Sequence, residues 1–153
     1  MHIGRDPAQQ HGAVNPPVYR TSTVLFESVA KLRDAAAGRL EKGRVYYGRL
    51  GTPTTFSLED AVAELEQGYA GIAVPSGLAA IAGALVAFTA AGDHILVSDA
   101  VYGPVRRLCD GLLARFGVAT SYYDPHVGAA IADLIRPQTR VVFVEAPGSL
   151  TFE

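Results

Sequence analysis

Tryptophan is missing from the 153 residues and cysteine occurs once, at Cys109. A single thiol cannot close an intrachain disulfide, so the chain gains nothing from internal cross-links and a reducing compartment fits it. One thiol cannot complete a thiolate metal centre either, and the histidines, His2, His11, His94 and His126, lack ligand spacing, so no metal site is expected. Cys109 falls in a stretch that reads as helix, Val105–Leu113, and there it reads as packing rather than as a reactive thiol. No apolar run is long enough to cross a bilayer, and the opening residues Met1–Asp6 show no apolar leader core, so a cytoplasmic location is expected. An excess of one charge is lacking as well: the formal net charge is −2, with acidic and basic residues interspersed, which argues against a nucleic-acid footprint or a membrane-surface patch. What the chain does have is apolar content, 49% of residues, enough for one domain with a true core.

The stretch Gly71–Leu85 reads as strand, tight loop and helix. Ile72 to Val74 is a short apolar run with two β-branched residues, Pro75 interrupts it, Ser76 is a good helix N-cap, and Leu78 onward is rich in Ala and Leu. Such a loop aims unpaired backbone N–H groups at one place. With the Ser76 hydroxyl and the positive end of the helix dipole they favour a phosphate or carboxylate, and Gly77 lets the anion come close to the backbone. An ordinary capped β–α turn has the same appearance. Ala80, Gly83, Ala84 and Ala87 form a small face suited to close packing.

Upstream, residues 1–26 carry Gly12, Pro16 and Pro17 with little periodicity and read as an extended arm, long enough to suggest that it wraps a neighbouring subunit. Ser28 should cap a helix reaching about Leu40 and ended by Gly43. In the loop that follows, Tyr47 and Arg49 are two apart; in an extended segment they would share a side and could converge on one anion, although a solvated surface loop reads the same way. A second helix, about Thr55 to Gln67, places Phe56, Leu58, Val62 and Leu65 at spacings that suit one apolar face. Beyond Leu78, strands at His94–Val97, Val118–Tyr123 and Arg140–Val144 alternate with helices at Tyr102–Phe116 and Val127–Ile135. That alternation predicts an α/β fold with a parallel sheet built from βαβ crossovers.

Taken together in order and spacing, Tyr47-Gly48-Arg49, Ser76-Gly77-Leu78-Ala79-Ala80 and Ser98-Asp99-Ala100-Val101-Tyr102-Gly103 resemble the Cys/Met-metabolism family of pyridoxal-phosphate enzymes, and the resemblance runs from Gly12 to Glu153. It implies a fold type I, transferase-like large domain begun within residues 46–153, preceded by an arm and helix over residues 1–45. It implies pyridoxal 5'-phosphate as cofactor, held by a phosphate cup at Ser76, Gly77 and Leu78, by Tyr47 and Arg49 reaching across a subunit interface, and by Tyr102 stacked on the pyridine ring. Tyr102 follows the C-terminal end of a strand, where ligands of open α/β sheets lie. Glu145 to Ser149 should line the same pocket; many γ-eliminating relatives carry an Asn here, facing the cofactor's ring oxygen, where this chain has Ser149. That departure, with Tyr-Gly-Arg in place of Tyr-Ser-Arg, tilts the reading toward β-elimination of an amino-acid thioether in a homo-oligomer, a dimer of dimers. A γ-eliminating or γ-replacing member of the family is the alternative.

The family's cofactor-holding lysine, the Asp for the pyridine nitrogen and the Arg for the substrate carboxylate lie beyond residue 153 in relatives. Lys31 and Lys42 are outside that lysine's context and read as solvated. The expectation is therefore the first part of a longer chain, not catalytic by itself, its first strand near Gly71 lying outside a cluster formed by the other three. Two other classes remain: a nucleotide-binding α/β module, against which no G-x-G-x-x-G follows the strand, and a non-catalytic fragment that binds a partner through its arm.

Overall fold

The computed structural model describes residues 3–153, so His2 and the first residue of the arm lie outside the described part. The chain divides into two compact units, Met1–Ala73 and Val74–Glu153.

In the first unit, residues 3–26 form turns and irregular chain. The arm rests on its own unit between residues 17 and 22: the Tyr19 N–H donates to Thr54 Oγ1 (2.8 Å), that hydroxyl donates to the Pro17 carbonyl (2.8 Å), and the Gly48 N–H donates to the Ser22 carbonyl (2.7 Å). Helix α1, Val29–Ala37, starts where expected, with Ser28 Oγ accepting from the Lys31 N–H, but it ends at Gly38 rather than near Gly43. Helix α2, Pro53–Leu65, has proline in its first turn, where no N–H is missed. Its apolar side is not the expected one. Phe56 and Ala63, seven apart, share one face and are half-buried and buried, whereas Leu58, Val62 and Leu65 lie on the opposite face and are exposed.

The strand expected at Gly71–Val74 is absent. Ile72 is 84% exposed, and the Ala73 N–H is taken by the Glu59 carboxylate of α2 (2.8 Å). Bound to a side chain rather than to a neighbouring strand, the segment makes no ladder.

The second unit opens with α3, Gly77–Phe88, and continues through β1 (His94–Ser98), α4 (Gly103–Arg107) with a π-helical stretch over Leu108–Leu113, β2 (Ala119–Tyr123), a 3-10 segment over Gly128–Leu134, and β3 (Thr139–Phe143). The strands form a three-stranded parallel sheet in the order β2-β1-β3. This is the expected α/β cluster, with the Gly71 segment outside it. β1 is buried along its whole length because it is the central strand. On one face of the sheet Ile95 and Val97 pack with Leu85 of α3, Val105 of α4, and Cys109 and Leu113 of the π-helical stretch. Cys109 is fully buried, and burial raises its thiol pKa, so it is a packing residue as expected.

The N-terminal end of the sheet is tied by a buried imidazole. His94 Nδ1 lies 2.8 Å from Thr139 Oγ1 on β3, and Nε2 lies 2.9 Å from Ser121 Oγ on β2. Burial first, and then the nearby Arg136, hold the His94 pKa below its ordinary value.

Candidate functional site

At the start of α3, Ser76 is extended (φ −161°, ψ 161°) and its Oγ accepts from the Ala79 N–H at 3.1 Å. The hydroxyl proton remains free to donate to a second partner. The N–H groups of Gly77 and Leu78 lie in the first turn, where an α-helix provides no partner of its own. A Cβ placed on Gly77 would meet no atom within 4 Å, so the backbone there faces open space. Leu78 offers its N–H while its side chain packs on the core, which fixes the turn from behind. One hydroxyl and two N–H groups at the positive end of a 12-residue helix make a donor set suited to a phosphate, and the open ground at Gly77 lets it approach.

The C-terminal edge of the sheet carries the second group. Tyr102 stands at the start of α4, 49% exposed, and its N–H donates to Glu145 Oε2 at 3.2 Å. The other oxygen of the same carboxylate, Oε1, accepts from Ser149 Oγ at 2.8 Å. The Ser149 N–H in turn donates to the Ala100 carbonyl at 2.8 Å, so the loops after β1 and β3 are laced together. Gly148 permits this: a Cβ there would lie 2.5 Å from the Ala100 Cβ. A concavity of about 470 Å³ opens beside the laced loops, with Asp99, Ala100, Gly103, Arg106 and Ser149 among its lining. Ser98 Oγ, at the end of β1, is buried and has no hydrogen-bond partner among the described residues.

Tyr47 and Arg49 belong to the first unit. They do not lie on the extended segment that the sequence suggests, because Gly48–Leu50 is a 3-10 turn, closed by the Leu50 N–H donating to the Tyr47 carbonyl at 2.8 Å. The turn nevertheless brings the pair together, with the Arg49 guanidinium 5.7 Å from the centre of the Tyr47 ring. Both side chains are exposed. Gly48 is required by close approach: a Cβ there would lie 1.8 Å from the Thr21 carbonyl oxygen. Lys31 is exposed on α1, and Lys42 is in an exposed ion pair with Asp60 at 2.8 Å, which raises its pKa.

Two residues of the laced edge were not singled out from the sequence. Glu145 sat inside a segment expected to line the pocket, and its signal was a lone carboxylate directly after the apolar run Val141–Val144. Arg106 had no signal, since an arginine on a short amphipathic helix is ordinarily solvated.

The fold is a parallel α/β sheet with flanking helices, and the first turn of α3 leaves open N–H groups that could receive an anion. The sequence pattern of the Cys/Met metabolism PLP-dependent enzymes matches residues 1–153, and the chain belongs to that family. Pyridoxal 5'-phosphate is the family's cofactor. The chain is 44% identical over 157 residues to cystathionine beta-lyase of Bordetella avium, covering 100% of this chain and 39% of the relative. It is 40% identical over 153 residues to cystathionine beta-lyase MetC of Escherichia coli, covering 100% and 38%. Among solved structures, cystathionine gamma-lyase from Lactobacillus plantarum complexed with L-serine superposes with a TM-score of 0.81 at 32% identity, over 99% of this chain and 36% of that one. The chain thus spans about two fifths of the length of the curated relatives it matches.

Proposed function

We propose that the whole protein is a pyridoxal-phosphate-dependent carbon–sulfur lyase, a cystathionine beta-lyase that converts cystathionine to homocysteine, pyruvate and ammonia as a step toward methionine. The observation that carries this reading is similarity along the entire chain to proteins named cystathionine beta-lyase. The donor set at Ser76, Gly77 and Leu78 supports the cofactor's place in it.

Bound to such an enzyme, pyridoxal phosphate supplies an electron sink for the negative charge left at Cα after its proton is removed. The residues of this chain hold and orient. Ser76 Oγ and the N–H groups of Gly77 and Leu78 bind the phosphate, and Tyr47 and Arg49 add a phenol and a guanidinium from a neighbouring subunit. Tyr102 would hold the ring by stacking, with Ser149 in the same pocket. The lysine, aspartate and carboxylate-binding arginine that the reaction needs are expected outside residues 1–153. Residues 46–153 then begin the large cofactor domain, with residues 1–45 as the arm and helix of an oligomer, a dimer of dimers. The exposed Val14, Val18, Tyr19 and Leu25 give that arm an apolar surface to present to a partner copy. Among the described residues no helix is long and apolar enough to cross a membrane; a cytoplasmic location is part of the proposal.

The test is product analysis. The purified whole protein given cystathionine should release pyruvate and homocysteine. Release of 2-oxobutyrate and cysteine would establish γ-elimination instead, the second reading, which the likeness to a cystathionine gamma-lyase structure keeps in view. Absence of bound or bindable pyridoxal phosphate would remove both.

A further inference from the structure

We propose that Arg106 is a positioning residue for Tyr102, holding the loop that carries the tyrosine by clamping Asp99 against the ring of Tyr122. This rests on the proposed role of Tyr102 at the cofactor ring.

Asp99 is the first residue after β1, and its N–H is already held by the Tyr123 carbonyl of β2 at 2.8 Å. Arg106 Nη2 donates to the Asp99 carbonyl oxygen at 2.8 Å and to its carboxylate Oδ1 at 2.5 Å. The guanidinium carbon lies 3.8 Å from the centre of the Tyr122 ring, so one face of the cation rests on β2. The hydroxyl of that same tyrosine donates to Asp110, four residues beyond Arg106, at 2.7 Å. Burial and this bond push the Tyr122 phenol up, which keeps it a donor. The end of β1, the helical segment and β2 are thereby closed around one cation.

Only Ala100 and Val101 separate Asp99 from Tyr102. The Val101 side chain is buried and its N–H donates to the Ser98 carbonyl at 3.1 Å; the Ala100 carbonyl takes the Ser149 N–H. The loop is therefore held from behind by Glu145 and Ser149 and from in front by Arg106. An exposed ion pair alone would contribute little at this position, where the arginine side chain is 35% exposed. The added bond to the Asp99 carbonyl is what couples the cation to backbone position. A lysine offers neither the planar fork nor the flat face that stacks on Tyr122.

The experiment compares the whole protein with Arg106→Met, Arg106→Lys, Tyr102→Ala and the Arg106→Met/Tyr102→Ala double variant, reading amide hydrogen exchange at Val101 and Tyr102 and the dissociation constant for pyridoxal phosphate. Arg106→Met should speed exchange at those amides roughly tenfold and leave β1 protected, since only the loop is released. It should weaken cofactor binding about three- to fivefold in the parent, no more than Tyr102→Ala itself, and by less than about 1.5-fold once Tyr102 is alanine, because a residue acting through another loses its effect when that other is gone. Arg106→Lys should fall between, and supplies the answer if the methionine variant does not fold. Unchanged loop exchange overturns the clamp. Additive losses in the double variant overturn action through Tyr102. Faster exchange with no effect of Tyr102→Ala on binding overturns instead the role of Tyr102 on which the proposal rests.

Discussion

Gly77→Ala separates the anion-binding role of the α3 turn from its structural role. In the fold the substitution should be harmless. The new methyl would meet no atom within 4 Å, and Gly77 is not among the residues of positive φ. Alanine is favoured over glycine in a helix by ~0.5–1 kcal/mol, with the first position at the lower end, so the protein without cofactor should melt at the same temperature or slightly higher. The bound phosphate meets a different situation. Its oxygens must come to about 2.9 Å from the N–H groups of Gly77 and Leu78 to be held, and the methyl stands on that ground. Loss of one charge-assisted hydrogen bond is worth about 1.5–3 kcal/mol, or roughly a ten- to hundredfold rise in the dissociation constant. The assay is a titration of the cofactor-stripped whole protein with pyridoxal phosphate, followed by absorbance, beside thermal melts of the same samples. Gly83→Ala is the internal control: its methyl also enters open space on α3, away from the turn, so it should raise stability and leave binding alone. A Gly77→Ala protein that folds and binds the cofactor within about twofold of the parent would refute the cradle, because one lost charged hydrogen bond must exceed that.

Arg49→Ala should weaken cofactor retention by about 1.5–3 kcal/mol, the scale of a charged hydrogen bond, and a titration showing no change would remove Arg49 from the phosphate site. Tyr102→Phe should keep the cofactor while Tyr102→Ala loses on the order of 1 kcal/mol of stacking; equal binding by both would remove the ring from the site. For His94, a pKa held below the ordinary 6.5 means that the unfolded chain takes up the proton first. The contribution is therefore complete above that value and lost as pH falls below it toward the folded pKa. His94→Gln should show a shallower loss of stability than the parent between pH 6.5 and 5 in denaturant melts, and parallel curves would contradict the assignment. Cys109, fully buried with its thiol pKa raised, should resist thiol reagents in the native protein and react on unfolding, so rapid native labelling would count against the packing described.

Helix starts were legible in the sequence because capping is local chemistry: Ser28 and Ser76 each cap the helix they precede, and each accepts from an N–H three residues on. The three strands were legible because each is a short, bounded run rich in β-branched, aromatic or aliphatic residues, β2 through Thr120, Tyr122 and Tyr123 rather than through an apolar run. The Gly71–Val74 strand was not, since a ladder needs a partner; the residues have strand propensity, but the Glu59 carboxylate takes the Ala73 N–H where a neighbouring strand would have. The end of α1 was misjudged because two glycines compete, and Gly38 acts first: its N–H already bonds the Asp34 carbonyl. On α2, the set Leu58, Val62 and Leu65 has helical spacing and so imitates a core face, while the smaller Ala63 marks the buried side. At the candidate site the anchor points were readable and the lacing was not. Tyr102 and Ser149 could be placed from motif order, but their link through Glu145 joins residues more than forty apart, and no local pattern encodes it.

That link also sets what Ser149 can contribute. A serine hydroxyl has one proton, and here it is donated to Glu145, leaving only lone pairs to face a ligand. An asparagine in this segment, as in γ-eliminating relatives, has two amide protons and could satisfy Glu145 while donating to a second group. On the proposed reading, the ring oxygen of the cofactor therefore receives no hydrogen-bond donation from Ser149, and more of the work of holding the ring falls to the phosphate cradle and to Tyr102. The exposure of Tyr102 then gives its position greater weight, because a half-exposed aromatic ring is fixed by its backbone more than by its neighbours. Its backbone is held from one side by the Glu145 carboxylate on its N–H and from the other by the Arg106 grip on Asp99. On the proposed reading, a serine in place of the amide leaves the ring more dependent on a tyrosine loop that is anchored both at Glu145 and at Asp99.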